Sequence, residues 1–453
     1  MCPHKNRHSA PAPSTSPPRA DTPDAAPFSD RREARGAAFA GPVPRPLAAR
    51  LALLLTLLSS GAAVAGSGEV NALSVHAFGT LGIARSGNSD ADYVRDLSQP
   101  HGSNGSPSAR NDSILGVQAN YRLNEEFEAV VQGVSHYRYN GTFSPELTWA
   151  FLKYSPTPEL SFRAGRIGTE FFMLADSRLV GYSYLTVRPP VDFFGSLPFN
   201  YVDGVDARYT RALGFGLLSV SAYGGVLREK VPAAGSVLDL GGSRMSGVSA
   251  ELQQGPWQGR ISYSRLRFDN DGSFGSVLSS LSAASAFGFP SAQAAADSLR
   301  IAGSEGVYRS IGGSYDDGEW QASVAYNKTR RSSAVYEDSH SGYLLVGRHW
   351  GNLTPYAGYS WTYSTPKSLD TGLPDIPPFL DLKVGVANFI RISHQDQHTV
   401  TLGGRWDFRQ NLALKAQVDF VRGAPDSTFL VQQNTSAWNG RSNVLSVALD
   451  FFY

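Results

Sequence analysis

Charge in this sequence falls at alternate positions of several ten-residue runs. Arg163, Arg208, Arg260, Arg405 and Lys415 share one parity of their runs, as do Glu128, Asp206, Asp407 and Asp419. Side chains two apart in a strand point to the same face, so these residues would line one wall. Opposed charges across a narrow, water-filled space orient polar solutes and disfavour apolar ones. Arg outnumbers Lys after residue 65, and its planar fork suits carboxylates and phosphates, which points to organic anions among the small polar solutes. A second set of charges, Glu170, Asp176, Arg178, Arg188 and Asp192, stands with Tyr182 in an aromatic, Pro-containing stretch, residues 168–202.

Bond-breaking chemistry finds no comparable support. No G-x-S-x-G elbow occurs, and His136 and His398 stand singly in strand-like runs. The pair His394 and His398 lies at a loop-to-strand passage, not on a helix where that spacing would aim two ligands at one metal. Cys2 is the only cysteine. No catalytic residue, metal site or cofactor is expected. Residues 66–453 carry 32 basic and 35 acidic residues, so no basic excess points to nucleic acid.

The elements that must position these charges read as strands. In Asp396–Phe408, His398, Val400, Leu402, Gly404, Trp406 and Phe408 face one way; Thr399, Thr401, Gly403, Arg405 and Asp407 face the other. The same pattern gives sixteen candidates: 73–85, 113–122, 126–136, 146–155, 160–167, 203–210, 216–226, 245–253, 257–267, 304–316, 319–329, 340–350, 354–363, 396–408, 412–422 and 443–453. Every second connection is short, such as Leu123–Glu125, Asp317–Gly318 and Arg409–Asn411, and the others are longer. A soluble sandwich has no reason to sort its loops by parity. A transmembrane antiparallel β-barrel does, with short periplasmic turns and long extracellular loops. Its alternation also explains a mean hydropathy of only −0.22. Aromatic pairs near strand ends (Trp149/Phe151, Tyr359/Trp361/Tyr363, Phe451/Tyr453) fit interfacial girdles.

The N-terminus reads as two discarded pieces. Arg45 and Arg50 precede the apolar run Leu51–Leu58, and Ala63-Val64-Ala65 is an A-x-A cleavage site. Residues 43–65 are therefore expected to be a signal peptide cut after Ala65. Residues 1–42, rich in Pro, Ala, Asp and Arg, read as a disordered leader or a misassigned start, with Val43 as the true initiator.

As architecture, residues 66–453 resemble the Gram-negative outer-membrane porins. The sixteen-strand count is similar to that of the general-diffusion trimeric members, and Leu445–Tyr453 resembles their C-terminal assembly signal. That family usually ends on Phe; here Tyr453 follows Phe451 and Phe452. The resemblance implies a water-filled channel in the cell outer membrane, a homotrimer, contact with outer-membrane lipid and with the assembly machinery, and an inward fold of loop 168–202 that narrows the pore, with Glu170, Asp176, Arg178, Tyr182, Arg188 and Asp192 facing the constriction. Within that loop Phe171, Phe172, Met173, Leu174, Phe193, Phe194, Leu197 and Phe199 need burial. The phosphate-selective porins depend on many lysines, and only six lie in residues 66–453, so phosphate specificity is not transferred. A surface receptor or adhesin using loops 268–303 and 364–395 is an alternative, and a barrel hydrolase a further one.

Overall fold

The computed structural model describes residues 73–453, apart from 234–235, 392, 428–430 and 434–436. The proposed leader and signal peptide lie outside the described residues. Sixteen antiparallel strands close into one barrel. They are β1 (Leu73–Ser86), β2 (Ile114–Arg122), β3 (Phe127–His136), β4 (Glu146–Tyr154), β5 (Leu160–Gly168), β6 (Tyr201–Leu213), β7 (Gly216–Val226) and β8 (Arg244–Gln254), then β9 (Trp257–Arg267), β10 (Glu305–Asp316), β11 (Trp320–Arg331), β12 (Asp338–Arg348), β13 (Leu353–Thr365), β14 (Asp396–Arg409), β15 (Leu412–Gly423) and β16 (Arg441–Phe452). Each expected strand is present, its ends displaced by three residues at most. Closure matters energetically because an open edge would leave a row of backbone donors and acceptors unpaired in hydrocarbon. Here β1 pairs with β16, with Leu81 opposite Leu449. Ala77 and Tyr453 exchange both backbone hydrogen bonds, at 2.8 and 2.7 Å.

Loop lengths keep their parity. At one end the turns are 123–126, 155–159, 214–215, 255–256, 317–319, 349–352 and 410–411. The turn at Asp317 is held locally: its carboxylate accepts the backbone N–H groups of Glu319 and Trp320, at 2.9 and 2.7 Å. At the other end the loops carry structure of their own. Residues 268–304 form two helices, Gly275–Ala286 and Pro290–Leu299, and residues 366–395 a third, Phe379–Ile390. Leu278, Leu281, Ala292, Leu299, Val335, Leu373 and Val386 from three loops share one apolar cluster. No helix among the described residues is long and apolar enough to cross a membrane.

The alternation gives two walls. Val248, Ile261, Ile311, Val324 and Leu344 occupy one register face and are each at least half exposed, a costly arrangement in water and a favourable one in lipid. Tyr359, Trp361 and Tyr363 share that outer face, beside Tyr326, His340 and His398. Trp149 and Phe151 do not. Phe151 lies opposite Gly165 on the inner register, with the Arg163 guanidinium over its ring. The register shift between Gln132 and Gly133 adds a residue to β4 and reverses which parity faces out, so alternation alone misplaces this pair.

Candidate functional site: the barrel interior and its inserted loop

Residues 169–200, between β5 and β6, fold into the barrel. The reason is the apolar content already noted. Phe171, Phe172, Phe193, Phe194, Leu197 and Phe199 are buried in one cluster with Tyr308, Tyr343, Leu345 and Tyr356 of the inner wall. Met173 is also buried, whereas Leu174 is exposed. Phe193 meets Tyr343 edge-on at 5.1 Å, and Phe171 meets Tyr308 likewise, a favoured ring geometry.

Polar clamps fix the loop on the β12–β16 wall and β1. Arg188 is fully buried. Its Nε and Nη2 donate to the two carboxylate oxygens of Asp112, both at 2.7 Å, and its Nη1 donates to Asp419 at 2.8 Å. Asp192, also buried, accepts from Ser360 on β13 and Gln397 on β14, both at 2.6 Å. Lys415 donates to the carbonyls of Gly181 and Thr186 at 2.9 and 3.0 Å and forms an ion pair with Asp450 at 2.6 Å. Arg405 donates to the carbonyls of Tyr182 and Tyr184 at 2.8 and 3.0 Å while pairing with Asp407. Its guanidinium also covers the half-buried Tyr182 ring, 4.6 Å from the centroid. At Gly181 the backbone comes so close that a Cβ would lie 2.2 Å from Thr80 Oγ1 and 2.7 Å from Asp450 Oδ1. Only Gly permits that approach.

Arg178 works within the loop. Its guanidinium donates to Asn200 Oδ1 at 2.7 and 2.9 Å, to the carbonyl of Phe199 at 2.9 Å, and to that of Leu197. The expectation that Arg178, Arg188 and Asp192 present charge to open water therefore does not hold. In a low-dielectric interior a charge must be paired, and each finds its partners in protein. The same correction applies to Lys415 and Asp419, which are buried wall residues holding the loop.

The opposite wall, β2–β10, carries the accessible charge, chiefly Arg208 with Asp176 of the loop facing it, whereas Glu170 and Arg260 are themselves buried. Glu170 reaches that wall from the loop and gathers three arginines: Arg163 at 3.1 Å, Arg208 at 2.7 Å and Arg260 at 2.7 Å. Arg163 also pairs with Asp206, and Arg260 with Glu251 at 3.5 Å. Asp176 stands exposed on the loop within electrostatic reach of Glu170 and the same three arginines. Glu128 is half-buried, 3.9 Å from Lys153. The structure thus brings together Arg163, Asp206, Glu170, Arg208, Arg260 and Asp176. It sets Arg405, Asp407 and Tyr182 apart on the far wall. Sequence reading missed Asp112, because a loop residue has no parity, and it missed Glu251, Asp450 and Ser446, which do lie on the inner parity of β8 and β16.

Among the described residues no grouping of His, Cys, Asp and Glu could hold a metal ion. A Ser/His/acid grouping does occur at Ser364, His394 and Glu337. Both Ser364 and Glu337 contact the same ring atom, His394 Nδ1, at 3.4 and 2.9 Å, and Ser364 also bonds directly to Glu337. A relay requires the acid on one nitrogen and the nucleophile on the other. Phe451 and Tyr453 end the closing seam, with their rings 6.4 Å apart.

No family model and no curated protein matches the chain. Solved structures do. In-vitro folded OmpT, an outer membrane protein of Vibrio cholerae, is 12% identical with a TM-score of 0.51, over 86% of this chain and 100% of its own. A loop-deletion mutant of the same protein gives 13% and 0.50, over 85% and 100%. An anion-selective porin from Comamonas acidovorans gives 12% and 0.49, over 84% and 100%. At such identity the likeness concerns fold alone: the chain is a closed, sixteen-stranded antiparallel β-barrel, similar in fold to the OmpT barrel.

Proposed function

We propose that this barrel is a channel in the cell outer membrane for passive diffusion of small polar solutes and ions, organic anions among them, narrowed by residues 169–200. One observation carries the reading. The inserted loop is sealed against β12–β16 and β1, where Thr354, Ser360, Thr362, Thr399, Gln417 and Ser446 are all buried. Across the barrel, Arg122, Arg208 and Gln253 remain exposed on the inner register and Lys153 is half-exposed. A water path along that second wall would pass between Asp176 on the loop and the Arg163–Arg208–Arg260 group. The cluster holds Arg163, Arg208 and Arg260 against Glu170, Asp176, Asp206 and Glu251. This near balance favours a strong local field with weak net selectivity. Trimerisation, a signal peptide cut after Ala65 and recognition of Phe451 and Tyr453 by the assembly machinery belong to the same proposal. Single-channel recording in a planar bilayer tests it: stable ion-conducting steps are expected, and a barrel that inserts without conducting would falsify it.

The packed helices of loops 268–304 and 366–395 favour a second reading, in which the surface end also serves as a receptor. Deleting residues 275–299 should then abolish partner binding and leave conductance steps in place.

A further inference from the structure

The register that separates the two walls also exposes a feature of the outer one. Near the long-loop end of four adjacent strands, six basic residues face outward: Arg244 on β8, Arg265 and Arg267 on β9, Arg309 on β10, and Lys328 and Arg330 on β11. All six are exposed. They share the register face of Val248, Ile261, Ile311 and Val324. Arg244 lies directly opposite Arg267, and Arg309 directly opposite Lys328. Arg265 and Arg330 flank Val307 from its two sides. Glu305 is the acid within this field and pairs with Arg265. No ion pair joins the other five to a carboxylate among the described residues.

This arrangement works against folding. Like charges directly opposite on neighbouring strands are destabilising, and residues 66–453 as a whole are slightly acidic. The patch therefore calls for an external counter-charge. Its height identifies the source. Moving along β9 from the short-turn end, the outward residues run Trp257, Gly259, Ile261, Tyr263, Arg265, Arg267. Tyr263 and Tyr326 mark the aromatic level, and Arg309 lies over the Tyr263 ring at 5.9 Å. Aromatic belts sit at the headgroup boundary, so the basic field begins where lipid phosphates lie. A second copy of the chain supplies no match: the outward strand acids Asp203, Glu305, Asp338 and Asp396 are scattered over four strands, and the first three already face Arg166, Arg265 and Lys367.

We infer that Arg244, Arg265, Arg267, Arg309, Lys328 and Arg330 bind the phosphate groups of an anionic lipid in the leaflet at the long-loop end. The inference needs the barrel's placement in a membrane but not its conduction. Its test is native mass spectrometry of the full chain in nonionic detergent with diphosphoryl lipid A, its dephosphorylated form, or inorganic phosphate. The unaltered chain should retain the diphosphorylated lipid and hold the dephosphorylated form far less. The double variant Arg309→Gln/Lys328→Gln should bind it about 30-fold more weakly, at about fivefold per basic residue removed. Arg309→Lys should retain binding and so control for folding, and conductance steps of the double variant should be unchanged because both residues face outward. Equal affinity in the double variant, equal retention of the dephosphorylated lipid, or displacement by millimolar phosphate would overturn the inference. So would a change in oligomeric state of the double variant, which would assign the patch to a protein contact.

Discussion

Arg188 and Asp112 meet through two parallel contacts of 2.7 Å with neither side chain exposed. This two-pronged pair ties the loop between β5 and β6 to the loop between β1 and β2, while Asp419 engages the remaining fork of the same guanidinium. Breaking such a buried pair from one side strands the other charge and typically costs about 3–5 kcal/mol. Arg188→Ala should therefore loosen the inserted loop, with noisier and larger conductance steps. The same steps with unchanged size and noise would show that the loop does not narrow the path. Arg178→Ala should act similarly, by freeing the chain around Asn200, rather than by a pure change of selectivity.

Selectivity should instead answer to the exposed charges on the other wall. Arg208→Gln removes a cation that is nearly half exposed beside Glu170 and should move the reversal potential toward cation preference. Asp176→Asn should move it the other way. If neither variant alters the reversal potential in a salt gradient, solutes do not pass along this wall.

The closing seam makes a prediction about assembly. A Cβ on Gly79 would lie 2.6 Å from the Phe451 ring and 2.8 Å from the backbone oxygen of Ile114. The oxygen cannot rotate away as a side chain can. Gly79→Val should lower the temperature at which the heat-modifiable gel band converts to the unfolded form, and deletion of residues 451–453 should reduce the assembled fraction further.

Glu229, in the loop after β7, supplies a pH dependence. Burial, reinforced by the nearby Glu146, raises its carboxyl to about 8, although it accepts the Asn200 backbone N–H at 2.8 and 3.0 Å. A group that binds its proton more tightly when folded contributes stability that is full below the ordinary carboxyl value of about 4.5 and lost as pH rises through about 8. Glu229→Gln should thus raise the unfolding free energy at pH 9 by an amount on the order of a few kcal/mol, read as a higher unfolding temperature, and change it little at pH 4. An equal effect at both would remove titration as the cause.

Sequence alone determined the sixteen strands, their two faces and the parity of their connections. Each follows from short-range chemistry: a period of two sets the faces, and turn residues set the ends. It also marked the loop 169–200 as needing burial, since so many aromatics cannot sit in water. Which wall receives that loop, and which charges remain accessible, was decided only in three dimensions. Arg188 and Arg208 look alike in sequence. One is closed between Asp112 and Asp419, and the other is open beside Glu170, because their partners come from segments far apart in the chain. The same holds for Trp149 and Phe151, whose direction depends on a single register shift that no local pattern records.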